Sequence, residues 1–229
     1  IINSSSFFVS HFLHVAQQAR SAGYEVHVAA GDVDCSEDIE SKGVIFHSIK
    51  LNRSGYNVFS EFNSLHSIRE LIIGLKPDIV HSFTIKPNIY VGIVKCFLAR
   101  DYRTDYLFSV TGMGSLYLSR NIYKRLAWKL IRYLYKLAFS LKNVIVVFEN
   151  SDDRDYFNSF DLVSISKTRI VNGAGVDVNK FLPGNREKPF KVVCVARLLK
   201  DKGIIEFIEA GKILKSKNID ANLVLVGDI

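Results

Sequence analysis

Three cysteines, Cys35, Cys96 and Cys194, are too few and too scattered for a disulfide framework or a metal site. Their odd number reads as reduced thiols in a cytoplasmic protein. No charge-free run of about 18 apolar residues occurs, so no segment is expected to span a bilayer. Signal-peptide layout, internal repeats and low-complexity stretches are also missing. No helix-turn-helix, zinc-knuckle or RNP-like run accompanies the net charge of +7, so nucleic acid is not an expected partner. Acidic residues are lacking from 106 to 148. The chain has no initiating methionine, opens inside a strand-like run (Ile1–Asn3) and stops just after another (Ala221–Val226). It is read as a fragment of a longer protein.

What is present is a globular composition, 48% hydrophobic and 23% charged over 229 residues. Strand-like runs at Glu25–Ala29, Val44–Ile49, Ile79–His81, Tyr106–Val110 and Val144–Phe148 alternate with helical patterns. The helical segments are Phe12–Ala22, Phe59–Leu75, Asn88–Ala99, Ile122–Leu141 and one starting at Asp152. This rhythm predicts an α/β fold with a doubly wound, mostly parallel sheet. Near Arg169 the character changes to a glycine turn, Gly173–Ala174–Gly175, and then a polar linker after Pro183–Gly184. Two domains are expected, 1–183 and the opening of a second at 184–229.

The acid-free segment holds Arg120, Lys124, Arg125, Lys129, Arg132, Lys136 and Lys142. Arg125, Lys129, Arg132 and Lys136 share one helix face, and Leu126, Leu130, Tyr133, Leu137 and Leu141 form an apolar stripe on another. Two readings follow: a helix lying on an anionic membrane surface, or a core-packing helix with a solvated basic back. Asp32-Val33-Asp34 opens an acidic loop and reads as a solvated charge patch rather than a metal pair.

Late in the chain, the run Val192–Ala196 delivers Arg197, and Lys202 follows five residues later where a helical pattern begins. Two cations on a strand-to-helix loop suit a diphosphate, since the helix end adds N–H donors and positive potential. Three further loops follow strands, where α/β sheets place their sites: Asn3–Ser6, His81–Asn88 and Val110–Ser115. These are expected to converge on one cleft edge, opposite Arg197 and Lys202, with the amides of Asn3–Ser6 open to a ligand.

The runs FFVSHFLHVAQQARSAGYEVHVAA, KPDIVHSFTIKPNIY, VTGMGSLY, FENSDDRDYF, NGAGVDVNKFLP and VARLLKDKG resemble retaining GT-B glycosyltransferases of family 4. The resemblance is nearest to those extending polyprenyl-diphosphate-linked sugars in bacterial surface polysaccharide or glycan assembly. It implies two Rossmann-like domains facing a cleft, the second truncated here. A hexose or N-acetylhexosamine-type sugar would pass from a nucleotide-sugar, uridine diphosphate-linked, to a polyprenyl-diphosphate-linked saccharide with retention. A nucleotide-sugar epimerase of related fold and a non-catalytic binding protein are the alternatives. Carried over by motif, Arg197 and Lys202 stabilise the leaving diphosphate without a metal or other cofactor. Asn3, Ser4, Ser5, Gly173 and Gly175 approach the donor. His11, Thr84, Lys86, Thr111 and Gly112 fall on the acceptor side, Lys86 pairing with the acceptor diphosphate. The basic face of Arg125, Lys129, Arg132 and Lys136 would meet the inner face of the plasma membrane, a cytoplasmic, peripheral placement. Two departures stand out: Thr111-Gly112 occupies a position where many relatives have histidine, and the family's glutamate pair would fall beyond Ile229.

Overall fold

Parallel strands of three to six residues, each leading into a helix or loop, run through the described chain. The computed structural model describes residues 1–51, 58–98, 103–113, 121–176, 178, 181–184 and 190–227. Gly114, Ser115, Arg120 and the polar stretch 185–189, named above, lie outside the described residues. The chain divides into two compact units, Ile1–Val176 and Asp177–Ile229. The Pro183–Gly184 boundary read from the sequence falls inside the second.

In the first unit the order is α1 (Ser5–His11), α2 (Leu13–Ser21), β1 (His27–Ala30), α3 (Ser36–Ser41), β2 (Ile45–Ser48) and α4 (Val58–Leu75). There follow β3 (Ile79–Phe83), α5 (Ile85–Phe97), β4 (Asp105–Val110), α6 (Ile122–Ser140), β5 (Val144–Phe148), α7 (Ser151–Ser159) and β6 (Thr168–Ile170). Strand β1 pairs with β2, and β3, β4, β5 and β6 form a second ladder in that order, all parallel. The first residues join the two ladders: Ile2 N donates to Ala29 O at 3.0 Å, and Phe83 N to Ile1 O at 3.1 Å. The helical segment expected from Phe12 starts earlier, at Ser5, and is broken at Phe12, whose φ of −129° lies outside the helical range.

The central strands are buried on both faces, as a parallel sheet covered by helices requires. Tyr106, Phe108, Val146 and Phe148 of β4 and β5 meet Tyr135, Phe139 and Phe157 of the covering helices. Burying each aromatic contributes about 1.5–3 kcal/mol. A smaller cluster, Ile2, Phe8, Phe12, Ala16, Val28, Ala30 and Phe83, fixes α1 and α2 against the sheet's carboxyl half.

Helix α6 starts on an Asn121 cap whose side chain accepts from Tyr123 N at 2.9 Å. Its core-facing side carries Trp128, Tyr135, Ala138 and Phe139, and Trp128 Nε1 donates to Tyr156 Oη at 2.8 Å. The apolar stripe picked out in the sequence points the other way. Leu126 is 66% exposed, Leu130 59%, Tyr133 60% and Leu137 44%; Leu141 alone of that stripe packs on the core. The core-packing reading of this stripe is therefore corrected: the helix carries two apolar arcs, and the one with the bulkier buried aromatics faces inward.

The second unit is one βαβ turn: β7 (Phe190–Val195), a 3₁₀ turn (Lys200–Lys202), α8 (Ile204–Ser216) and β8 (Ala221–Val226), with β7 and β8 parallel. None of its described residues is fully buried.

Candidate functional site

The strand expected at Ile1–Asn3 is reduced to a single bridge between Ile2 and Ala30, and the loop that follows it, Asn3–Ser6, is braced from below. Ser4 caps α1, and Ser5, fully buried, gives both its amide (2.9 Å) and its hydroxyl to Asp32 Oδ1. The same hydroxyl accepts from Cys35 N at 3.1 Å. Burial alone would raise the Asp32 carboxyl, but the Ser5 hydrogen bonds outweigh it and hold it below the ordinary carboxylate range. Asp32 is thus a fixed anion at the start of α1, not a member of a solvated patch. The expectation of open amides fails at Ser5 for the same reason, since its donor is taken and a negative charge stands beside it. Asn3, Ser4 and Ser6 remain on the wall of an open pocket of about 390 Å³, with Phe7, Ser10 and Thr84.

Thr84 carries backbone strain. Its φ of 72° is a conformation β-branched residues avoid. Three contacts hold it: Asn3 Nδ2 donates to Thr84 Oγ1 at 2.8 Å, Thr84 N to Ser109 O at 3.1 Å, and Asn88 N to Thr84 O at 3.2 Å. Asn88 is itself locked, accepting from Ser82 Oγ (2.7 Å) and donating to Ser109 O (2.9 Å) in full burial. The Asn3 and Thr84 loops therefore do converge. Lys86, the second residue of α5, forms an ion pair with Glu61 of α4 at 2.8 Å, both side chains mostly buried.

His11 lies exposed on α1, its Nδ1 near Ser10 Oγ (2.7 Å) and its ring 4.3 Å from that of Phe7. His14 of α2 donates from Nε2 to Ala174 O at 2.6 Å. That bond pins the loop in which Gly173 and Gly175 adopt φ of 74° and 79°, values that favour glycine. Thr111 and Gly112 follow β4 directly and are half-buried. Glu149 follows β5, and burial pushes its carboxyl up despite the opposing charge of His11.

In the second unit Arg197 and Lys202 sit on one exposed loop between β7 and α8. Leu199 N donates to Arg197 O at 2.7 Å, Lys202 N to Leu199 O at 3.0 Å, and Gly203 turns the chain into α8 with φ of 74°. A Cβ on Gly227 would run into Ala196 O, so β8 supports this loop backbone to backbone.

On α6, Arg125 and Lys129 are exposed. Lys136 pairs with Asp161 at 2.6 Å, and the Arg132 guanidinium lies 4.1 Å from the Phe160 ring. The four cations therefore split into an open pair and a pair engaged with the end of α7. No helix among the described residues is long and apolar enough to cross a membrane.

A family model for glycosyl transferase 4-like proteins matches residues 1–150, the part that holds the Asn3, Thr84, Thr111 and Glu149 loops. The chain belongs to the glycosyl transferase 4-like family. Over 218 residues it is 26% identical to an N,N'-diacetylbacillosaminyl-diphospho-undecaprenol alpha-1,3-N-acetylgalactosaminyltransferase of Campylobacter jejuni, covering 89% of this chain and 56% of that protein. It is also 25% identical over 221 residues to the capsular polysaccharide biosynthesis glycosyltransferase CapM of Staphylococcus aureus, covering 92% and 56%. The chain thus spans about half the length of the curated relatives it matches. Among solved structures, a glycosyltransferase from Rickettsia africae superposes with a TM-score of 0.66 at 17% identity, over 100% of this chain and 59% of that one. A putative UDP-N-acetylglucosamine 2-epimerase from Listeria monocytogenes gives 0.61 at 11%, over 100% and 61%. These likenesses establish the GT-B-type α/β fold and, with an epimerase among them, leave activity to other arguments.

Sequence reasoning missed His14, Asn88, Glu149 and the bracing role of Asp32 in this glycosyl transferase 4-like site. Glu149 had a usable signal, since it directly follows the apolar run Val144–Phe148 and so ends a strand. His14 had none, because a lone histidine on a helix gives no hint of a partner 160 residues away.

Proposed function

We propose that the protein transfers a hexose or N-acetylhexosamine-type sugar, with retention, from a nucleotide-sugar to a polyprenyl-diphosphate-linked saccharide at the inner membrane face. The named activities of the relatives support the reaction class and the acceptor. The observation that carries the membrane part is the outer face of α6. There, exposed Ile122, Tyr123, Leu126, Leu130, Tyr133 and Leu137 lie beside exposed Arg125 and Lys129. An apolar stripe flanked by cations suits an anionic bilayer surface, each cation contributing about 1 kcal/mol. An enzyme whose acceptor is anchored by a lipid needs such a face.

In this reading Arg197 and Lys202 hold the donor's diphosphate and stabilise the charge that develops as the glycosidic bond breaks. The carboxyl edge of the first unit receives the acceptor sugar, and the Gly173–Gly175 loop approaches the donor. Lys86, already paired with Glu61, would exchange that partner for the acceptor diphosphate. The test is transfer by the full-length protein from a panel of UDP-sugars to undecaprenyl-diphosphate-linked N,N'-diacetylbacillosamine, with product anomers read by NMR. Labelled product of retained configuration is expected and should be lost in Arg197→Ala and Lys202→Ala. Interconversion of free nucleotide-sugars without transfer would overturn the proposal in favour of an epimerase.

A further inference from the structure

Thr84 stands where β3 gives way to α5, with φ of 72° and ψ of 172°. That region is open essentially to glycine alone, because a Cβ there crowds the main chain. Glycine would make this turn without strain, yet the chain carries a β-branched residue. What threonine adds is a hydroxyl. Its Oγ1 accepts from Asn3 Nδ2 at 2.8 Å, and both residues line the open pocket of about 390 Å³.

A strained residue persists only where its surroundings over-determine it. Here the support converges on one carbonyl. Ser109 O accepts from Thr84 N at 3.1 Å and from Asn88 Nδ2 at 2.9 Å, which commits both of its lone pairs. The first of these bonds extends the β3–β4 ladder one step past the Phe83–Ser109 pair. Asn88 N donates to Thr84 O at 3.2 Å and so opens α5. Asn88 therefore grips the threonine twice, through its own main-chain amide and through the carbonyl that holds the threonine amide. Its side chain is fixed in turn. Oδ1 accepts from Ser82 Oγ at 2.7 Å, and both Ser82 and Asn88 are 0% exposed. A buried amide is costly unless it is bonded, and the bonds made here lead to the Thr84 turn.

We propose that Asn88 is a positioning residue of the transfer site. It holds Thr84 at positive φ and thereby keeps the Thr84 hydroxyl, with the Asn3 side chain bonded to it, in the pocket wall. Ser82 acts one step further back by orienting the Asn88 amide. Both are buried away from any ligand and work through Thr84. The kinetic consequence rests on the glycosyltransferase reading; the hold on Thr84 does not.

The experiment combines Asn88→Ala with Thr84→Gly in the full-length protein and follows transfer to undecaprenyl-diphosphate-linked N,N'-diacetylbacillosamine. Asn88→Ala is expected to lower kcat about tenfold at unchanged donor KM, and to add little in the Thr84→Gly background, where the hydroxyl is already gone. Equal losses in both backgrounds would make Asn88 a support of the fold alone and overturn the proposal, as would unaltered kinetics in Thr84→Gly. A second readout needs no activity. In protein isotope-labelled at threonine, the amide–Hα NOE within Thr84 is strong at positive φ. It is expected in the wild type and should weaken in Asn88→Ala; an NOE that persists overturns the positioning role. If the wild type transfers nothing, the glycosyltransferase reading is what fails, and the NOE alone decides. Should Asn88→Ala not fold, Ser82→Ala takes its place, with the same signs expected and smaller effects.

Discussion

His14 Nε2 lies 2.6 Å from the carbonyl oxygen of Ala174, so one side chain of α2 holds the glycine loop against the first unit. Ala174 also packs on the Phe8–Phe12 cluster, which gives the loop an apolar and a polar attachment. Replacing His14 by Ala removes the polar one and leaves the apolar one. The expected outcome is a loss of about 1 kcal/mol in stability and a several-fold rise in donor KM, with the acceptor KM unaffected. Urea denaturation and steady-state kinetics on the same preparation check both halves.

Gly31 supports the Asn3 loop, and a Cβ there would meet Leu51 O and come within 3.0 Å of Asn3 O. Both contacts are backbone, so the loop itself must move. Gly31→Ala is expected to cost about 1–3 kcal/mol. The Asn3–Thr84 hydrogen bond should weaken with it. Gly74→Ala, inside α4 and with nothing within 4 Å of its Cβ, should raise the urea midpoint, and a similar rise in Gly31→Ala would count against the close approach.

The two arcs of α6 make opposite predictions. Leu126→Ser with Leu130→Ser should leave stability within about 0.5 kcal/mol, because both side chains are exposed, and should sharply reduce binding to anionic vesicles. Tyr135→Ala, at a fully buried position, should cost about 3–5 kcal/mol in stability. Vesicle flotation and thermal melts distinguish the two effects. Reversing Arg125 and Lys129 should weaken flotation more at low salt than at high salt.

Much of the fold was legible because apolar runs, glycines and prolines mark strand and helix limits locally. The burial face of α6 was not. Its sequence carries two apolar arcs at helical spacing, and periodicity alone gives no rule for choosing between them. Packing chooses Trp128, Tyr135 and Phe139, whose volume fills the space above β4 and β5. The site was half legible. Asn3, Thr84, Thr111 and Gly173 follow strands and could be placed by that rule, whereas Ser5 was misjudged because its partner, Asp32, comes from a different loop.

The His81 ring sits against Phe83, with Nε2 2.8 Å from Ser109 Oγ, and burial pushes its imidazole down from 6.5 to about 3. Above the unfolded value both states are neutral, and the histidine adds no pH dependence. As pH falls below it, the unfolded chain binds a proton that the folded chain refuses, so stability drops by up to about 1.4 kcal/mol per pH unit until the folded value is reached. Urea midpoints at pH 7.5 and 5.5 should differ accordingly, and His81→Gln should flatten the slope over that interval.

Gly31 beneath Asn3 and Gly227 beneath Ala196–Arg197 let main chain rest on main chain at two loops. Arg197 can be exchanged for another residue while the peptide that carries it stays where β8 puts it, whereas the Asn3 side chain also holds Thr84. A loop held in this way can accept a single substitution without a compensating change in the sheet.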